Sequence, residues 1–183
     1  MGVSKIIKKY VLTGAASCGK TELIDELRRR GFNVLEEAAR EVIEDRLDIP
    51  VSNDEILKRQ LLIFKRQLRR ENYDFHGDFL FLDRGLADCI TYCEQLLGFV
   101  PEEIACGNHR NRYEGVFILE KLPLVKAEYR VEKSDAELDR IHSAIIKTYQ
   151  DLGYSPVFVP VMSVRNRANF IFDCVWGENG IRL

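Results

Sequence analysis

Short, nearly continuous apolar runs alternate along the chain with longer stretches in which apolar residues recur every three or four positions. The runs are KKYVLTG (8–14), GFNVLEE (31–37), DFLFLDRG (78–85), EGVFILEK (114–121) and SPVFVPV (155–161), each rich in Val, Ile, Leu or Phe and bounded by turn residues. Such runs predict strands, and apolar side chains at successive positions imply burial on both faces. Helical periodicity predicts helices over 20–30, 37–47, 53–71, 86–97, 101–112, 135–152 and 164–174. The clearest is 135–152: Ser134 and Glu137 form a capping box, Leu138, Ile141, Ile145, Tyr149 and Leu152 make one apolar stripe, and Gly153 ends it. Strands separated by helical crossovers of a dozen or more residues predict an α/β fold with a five-stranded parallel sheet and helices on both faces.

Composition narrows this little further. The chain has 183 residues, which suits one domain over 1–183, and no repeat or linker divides it. A net charge of −2 supplies no global field toward nucleic acid or anionic lipid. No apolar run nears the roughly 20 residues of a membrane span. MGVSKIIKKY lacks the apolar block of a signal peptide, and Ile6 stands where a myristoylation motif wants Ser or Thr; the expected location is cytoplasmic. Five cysteines without a secretion signal suit reduced thiols. Cys89, Cys93, Cys106 and His109 match no common zinc spacing and read as packing residues. In helix 53–71, Lys58, Arg59, Lys65, Arg66, Arg69 and Arg70 are diluted by Asp54, Glu55 and Glu71, which favours a solvated face over a membrane or RNA surface; support for an anionic substrate is the other reading.

The candidate chemistry begins after the first strand. Gly14, Ala15, Ala16, Ser17, Cys18, Gly19, Lys20 and Thr21 spell G-x-x-x-x-G-K-T between a strand and an amphipathic helix. Small side chains leave backbone amides to line a hollow at a helix N-terminus, where an anion is favoured. Lys20 adds a positive charge near the outer phosphates, and Thr21 offers a hydroxyl to Mg²⁺. The implied ligands are ATP or GTP with Mg²⁺.

In such a sheet, ligands collect at the carboxyl ends of the strands. The second strand delivers Glu36 and Glu37, the third Asp83 and Arg84, the fourth Glu120 and Lys121, and the fifth runs into Ser163, Arg165 and Arg167. Asp83 is placed to hold Mg²⁺ directly or through water, with Thr21 as the other metal-side residue, and Arg84 to meet a phosphate. Glu37 is the candidate base for a substrate hydroxyl; Glu36, its neighbour, points elsewhere, and which of the two faces the site is left to the structure. The segment from about 121 to 134 has the charge and proline of a lid, and Arg130 within it is placed either to reach the transferring phosphoryl group or to stay solvated.

These residues resemble the P-loop kinase-like family that takes in the nicotinamide riboside kinase domain of bacterial NadR proteins and a group of GTP-binding proteins carrying the label "AAA domain". The resemblance rests on LTGAASCGKTELIDELRRRGFNVLEEAAREVIE, on FLFLDRGLADCITY and on YRVEKSDAELDRIHSAIIKTYQDLGYSPVFVPVMSVRNRANFIF. It implies a three-layer P-loop NTPase fold with strand order 2-3-1-4-5, Mg²⁺ with ATP or GTP, and Arg130 as the lid arginine. It further implies that Glu37 and Arg40 face an acceptor pocket, that Asp83 and Arg84 face the phosphates, and that Arg165 or Arg167 lies near the nucleotide base. The lid entrance LEKLPLVKAEYR departs from the proline and aromatic pair frequent in the family.

The function expected is transfer of a γ-phosphoryl group to a hydroxyl of a small nucleoside-like metabolite. The alternative is a nucleotide-binding switch or slow NTPase acting through a protein or lipid partner. A Ras-type switch is disfavoured because the glycine of Asp83-Arg84-Gly85 comes one residue early for D-x-x-G and no N-K-x-D occurs. The partners are then a nucleoside triphosphate and a small-molecule acceptor, with a homodimer left open and nucleic acid not expected.

Overall fold

The computed structural model describes residues 7–44, 52–73, 75–122 and 135–176. Five strands, β1 (Lys8–Thr13), β2 (Asn33–Leu35), β3 (Phe79–Asp83), β4 (Gly115–Leu119) and β5 (Val157–Val159), form one parallel sheet in the order β2-β3-β1-β4-β5. The helices are α1 (Lys20–Arg29), α2 (Ala38–Glu44), α3 (Asn53–Glu71), α4 (Leu86–Leu97), α5 (Glu102–Arg110), α6 (Asp135–Asp151) and α7 (Val164–Trp176).

The central strands β3 and β4 and the carboxyl half of β1 are buried on both faces, as their continuous apolar runs require, whereas the edge strands β2 and β5 are partly open. Tyr10, Leu12, Phe81, Phe117, Leu119 and Val159 face α1 and α7, with Leu23, Leu27 and Ile171 filling between them. Val11, Leu80, Leu82, Val116 and Ile118 face the opposite side, against Ala87 of α4 and Ile145 and Tyr149 of α6. A third cluster, Phe64, Leu86, Cys89, Cys93 and Ile104, seats α3 and α5 on α4. Four of the five cysteines, Cys18, Cys89, Cys93 and Cys174, thus serve as core residues, while Cys106 is exposed.

Helix ends differ from expectation by small, explicable amounts. Helix α3 opens on a reciprocal Ser52–Glu55 capping box that the periodicity alone did not reveal. Helix α5 stops at Arg110, short of residue 112, because Asn111 turns to an extended conformation. Helix α7 runs to Trp176, whose ring packs on Phe32, Phe79 and Phe172. The expected cap Ser134, the end of helix 37–47 and most of the expected lid lie outside the described residues, which include only Lys121 and Leu122 of the latter. Among the described residues no helix is long and apolar enough to cross a membrane.

The turn from β3 into α4 is closely packed. A Cβ on Gly85 would stand 2.9 Å from Val11 Cγ2, 2.9 Å from the Tyr149 hydroxyl and 3.0 Å from Tyr113 Cε2, so no side chain fits between β1 and α6. Gly85→Ala must move α4 outward, and overpacking of this kind costs about 1–3 kcal/mol. Denaturant unfolding is expected to show that loss together with weakened nucleotide binding. Wild-type stability in Gly85→Ala would contradict the packing described.

Candidate functional site

The loop between β1 and α1 is held from behind by cations. Lys20, 7% exposed, donates through Nζ to the carbonyls of Gly14 (3.3 Å) and Ala15 (2.9 Å) and lies 3.5 Å from Cys18 Sγ. Arg84 Nη1 reaches the Gly14 carbonyl at 3.2 Å. Arg167 Nη1 donates to the Cys18 carbonyl at 2.5 Å, while its Nε and Nη2 take the carbonyls of Pro160 (3.0 Å) and Glu120 (3.2 Å). One guanidinium, 2% exposed, therefore ties together the chain leaving β1, β4 and β5. Gly14 is required twice over: its φ is +140°, and a Cβ there would lie 2.9 Å from the Leu119 carbonyl oxygen. Cys18 is buried in the core beneath the loop.

The second group of side chains grows from the end of β3. Arg84 sits at φ +68°, a left-handed conformation that costs a non-glycine residue about 1 kcal/mol or more and that surrounding contacts must impose. Its N–H donates to the Leu12 carbonyl, and its carbonyl accepts from Gln67 Nε2. Its guanidinium gives Nε to Glu37 Oε1 at 2.7 Å and Nη1 to Asp88 Oδ1 at 3.0 Å. Burial pulls against the Arg84 charge, but Tyr92, Glu37, Asp88 and Asp83 together outweigh it, so the group is held well above the ordinary guanidinium value. Asp88 also accepts from the Thr13 hydroxyl (2.6 Å), the Gly85 N–H (3.0 Å) and the Tyr149 hydroxyl (2.7 Å). A buried carboxylate with four donors is fully satisfied.

Asp83 is the contrast. It is 3% exposed and its Oδ1 has no hydrogen-bond partner. Burial pushes its carboxyl up to about 6, with Lys20, Arg84 and Arg40 opposing the rise and Glu37 adding to it. An orphaned carboxylate oxygen, surrounded by these charges and next to the phosphate loop, is the kind of donor a hard cation takes. The Thr21 hydroxyl is the other oxygen on that side, and it accepts from Arg40 Nη2 at 3.2 Å.

The residues singled out in the sequence divide as follows. Glu37 turns inward to Arg84, whereas Glu36 turns outward and pairs with Arg28 on the surface, which settles the alternation along the strand end. Arg40 stands with Thr21 over the phosphate loop and is not part of the lining of the apolar cavity beside Glu37. Arg84 is bound by Glu37, Asp88 and the loop, so its cationic face is shared and not free for a phosphate alone. Arg167 is spent on three carbonyls as a brace, and Arg165 is exposed, with its own carbonyl accepting from Arg30. Arg130 lies outside the described residues.

Two site residues escaped the sequence reading. Asp88 was legible only as an acid three residues after the helix-opening Gly85, half of a capping box. His142 comes from mid-α6, and its Nδ1 accepts the Ala15 N–H at 3.3 Å. Burial, then Lys121 and Lys20, lower its tendency to protonate, which suits a neutral ring accepting at Nδ1.

Two cavities meet at this carboxyl edge. One, about 380 Å³, lies over the phosphate loop and is lined by Ser17, Lys20, Thr21, Glu37, Arg40 and Arg84 among others. The second, about 270 Å³ and largely apolar, lies between α2, α3, α4 and α6. Glu37 and Arg84 line both.

A family model described as "AAA domain" matches residues 9–167. Comparison with curated protein sequences gives no match. Among solved structures, a NadR protein in complex with NR aligns with a TM-score of 0.71 at 17% identity, over 97% of this chain and 53% of its own. The chain thus spans about half the length of the NadR structures it matches. Deoxyadenosine kinase from M. mycoides gives 0.59 at 13% identity over 91% of this chain and 98% of the kinase. Thymidylate kinase from Ehrlichia chaffeensis gives 0.65 at 11% identity over 92% and 98%. Since the matched span runs from β1 to the arginine that braces the phosphate loop, the chain belongs to the AAA domain family and has the fold of P-loop kinases.

Proposed function

We propose that the protein is a Mg²⁺-dependent phosphotransferase that moves the γ-phosphoryl group of ATP or GTP to a hydroxyl of a small, nucleoside-like acceptor. The observation that carries this reading is the shared wall: Glu37 and Arg84 stand between the phosphate-loop cavity and a separate apolar cavity, so a donor and an acceptor can meet across them. A protein that only hydrolysed or sensed a nucleotide would have no need of the second cavity. The kinases among the structural relatives support the same class.

In this reading the loop amides, Lys20 and the N-terminus of α1 bind the triphosphate. Thr21 and Asp83 would hold Mg²⁺, which neutralises phosphate charge when bound. Glu37 accepts the proton of the acceptor hydroxyl as its oxygen bonds to phosphorus, and the bond to the departing nucleoside diphosphate breaks. Arg84 holds Glu37 in place through its 2.7 Å hydrogen bond. Arg167 and Asp88 act through the loop and through Arg84, as positioning residues.

Incubation with Mg²⁺, each nucleoside triphosphate and a nucleoside panel including nicotinamide riboside, read by mass, is expected to yield a phosphorylated acceptor. Glu37→Gln should retain nucleotide affinity and lose about 10²–10⁴ in transfer rate. Phosphate release with no acceptor product would favour the slow NTPase or switch, and unimpaired transfer by Glu37→Gln would remove it as the base. Lys20→Ala should weaken nucleotide binding by about 10- to 100-fold in calorimetry, as loss of a charge-assisted contact does; unchanged affinity would dismiss the loop as the phosphate site.

Asp83 makes a further, pH-resolved prediction. Its carboxyl titrates near 6 in the fold against an ordinary 3.8, so the folded chain holds that proton more tightly than the unfolded chain. Its contribution to stability is therefore greatest below about 4 and falls as pH rises through about 6, by roughly 3 kcal/mol in all. Asp83→Asn abolishes that fall. Its melting temperature should exceed the wild type's at pH 8 and approach it at pH 4, while Mg²⁺-dependent nucleotide binding is lost; a mutant less stable than wild type at pH 8 would refute the burial penalty.

A further inference from the structure

The apolar cavity carries charges that the proposed reaction does not use. Ile43 and Ile63 on one side and Tyr92 and Leu96 on the other give it a flat, greasy body. Into the same lining come two guanidinium groups, Arg59 of α3 and Arg140 of α6. Arg59 is half-buried, its Nε is shut off from solvent, and that atom has no hydrogen-bond partner. Burial lowers its readiness to hold a proton.

The rest of α3 shows how unusual that is. Arg66 and Arg70 both engage Glu41, and Lys65 pairs with Glu103. The carboxylates that line the cavity are Glu37, Asp88 and Glu137. The first two are held by Arg84, and Glu137 is engaged as well. A buried guanidinium without a counter-charge costs stability, and an anionic ligand relieves that cost. Arginine also presents a planar fork suited to phosphate and carboxylate oxygens.

The spacing along α3 sets a length. Gln67 touches the Arg84 carbonyl, and Arg59 lies eight residues earlier on the same helix, about 12 Å away at 1.5 Å per residue. Arg59 and the Glu37–Arg84 pair are thus set apart along the same cavity.

We propose that the acceptor is an anion: a flat, nucleoside-sized molecule whose phosphate or carboxylate group is held by Arg59, assisted by Arg140, while the hydroxyl to be phosphorylated lies at Glu37. This rests on the phosphotransferase reading for the role of the cavity, but not for its chemistry, because the anion site is measurable as binding without turnover.

The test is calorimetric titration of the full chain saturated with Mg²⁺ and a non-hydrolysable ATP or GTP analogue, so that the phosphate loop cannot take the probe. Three matched series are compared: adenosine and uridine; their 5′-monophosphates; and orotidine, the base-carboxylated counterpart of uridine. At least one anionic series should bind about tenfold or more tighter than its neutral parents, which identifies phosphate or carboxylate as the group. Arg59→Gln should abolish that preference while leaving neutral probes unchanged, Arg59→Lys should keep part of it, and Arg140→Gln should reduce it less. The melting temperature of Arg59→Gln should equal or exceed the wild type's, which separates loss of an anion site from loss of the fold. Equal binding of neutral and anionic probes, no binding of any anionic probe, or a preference that survives Arg59→Gln overturns the proposal. If an Arg59-dependent anion preference is found but no probe is ever phosphorylated, the anion site stands and the phosphotransferase reading falls.

Discussion

The site depends on a backbone loop whose carbonyl oxygens are claimed by protein cations. Lys20 takes the carbonyls of Gly14 and Ala15, Arg84 shares that of Gly14, and Arg167 takes that of Cys18. A loop that must offer amides to an anion has to turn its carbonyls elsewhere, since an oxygen facing a phosphate would repel it. Buried guanidinium groups do this well because each presents several donors in a rigid plane. Glycine at position 14 follows from the same demand, because the chain there presses against the Leu119 carbonyl at a φ open mainly to glycine.

The two arginines differ in what supports them. Arg167 meets only backbone carbonyls, and burial lowers its hold on its proton, so it acts as a stitch across the ends of β1, β4 and β5. Arg84 meets two carboxylates and sits in a strained conformation, which Gln67, Leu12 and the close-packed Gly85 enforce. Removing either partner of such a buried pair leaves a charge uncompensated, at about 3–5 kcal/mol. The strain and the buried ion pairs of Arg84 therefore sit where the two cavities join.

The sheet was legible because each strand is an uninterrupted apolar run and each crossover has helical period, and those signals are local. The phosphate loop was legible for the same reason: eight consecutive residues specify it. Glu37 and Asp83 could be named as strand-end carboxylates, but their inequality could not, because it depends on which neighbours arrive from other elements. Asp88 acquires its meaning from Thr13 and Tyr149, and His142 from Ala15, contacts that span 75, 61 and 127 residues of chain. Arg40, near the start of α2, reaches the Thr21 hydroxyl, a contact that spacing alone does not give. Basic residues of α3 looked alike in the sequence; only the positions of Glu41 and Glu103 distinguish the paired ones from Arg59.

A division of labour follows from this arrangement. The nucleotide side is built from short-range pattern and backbone, so any chain with the loop, the strand-end acid and the bracing arginines would reproduce it. The other cavity is built from side chains of four helices that share no motif, and its polarity is set by which arginines lack a carboxylate. Glu37 is the one base candidate that touches both, and its partner Arg84 is fixed to the loop through Gly14 and to α4 through Asp88. The two cavities are therefore joined through one shared guanidinium, so neither wall can shift without loading the hydrogen bonds of the other.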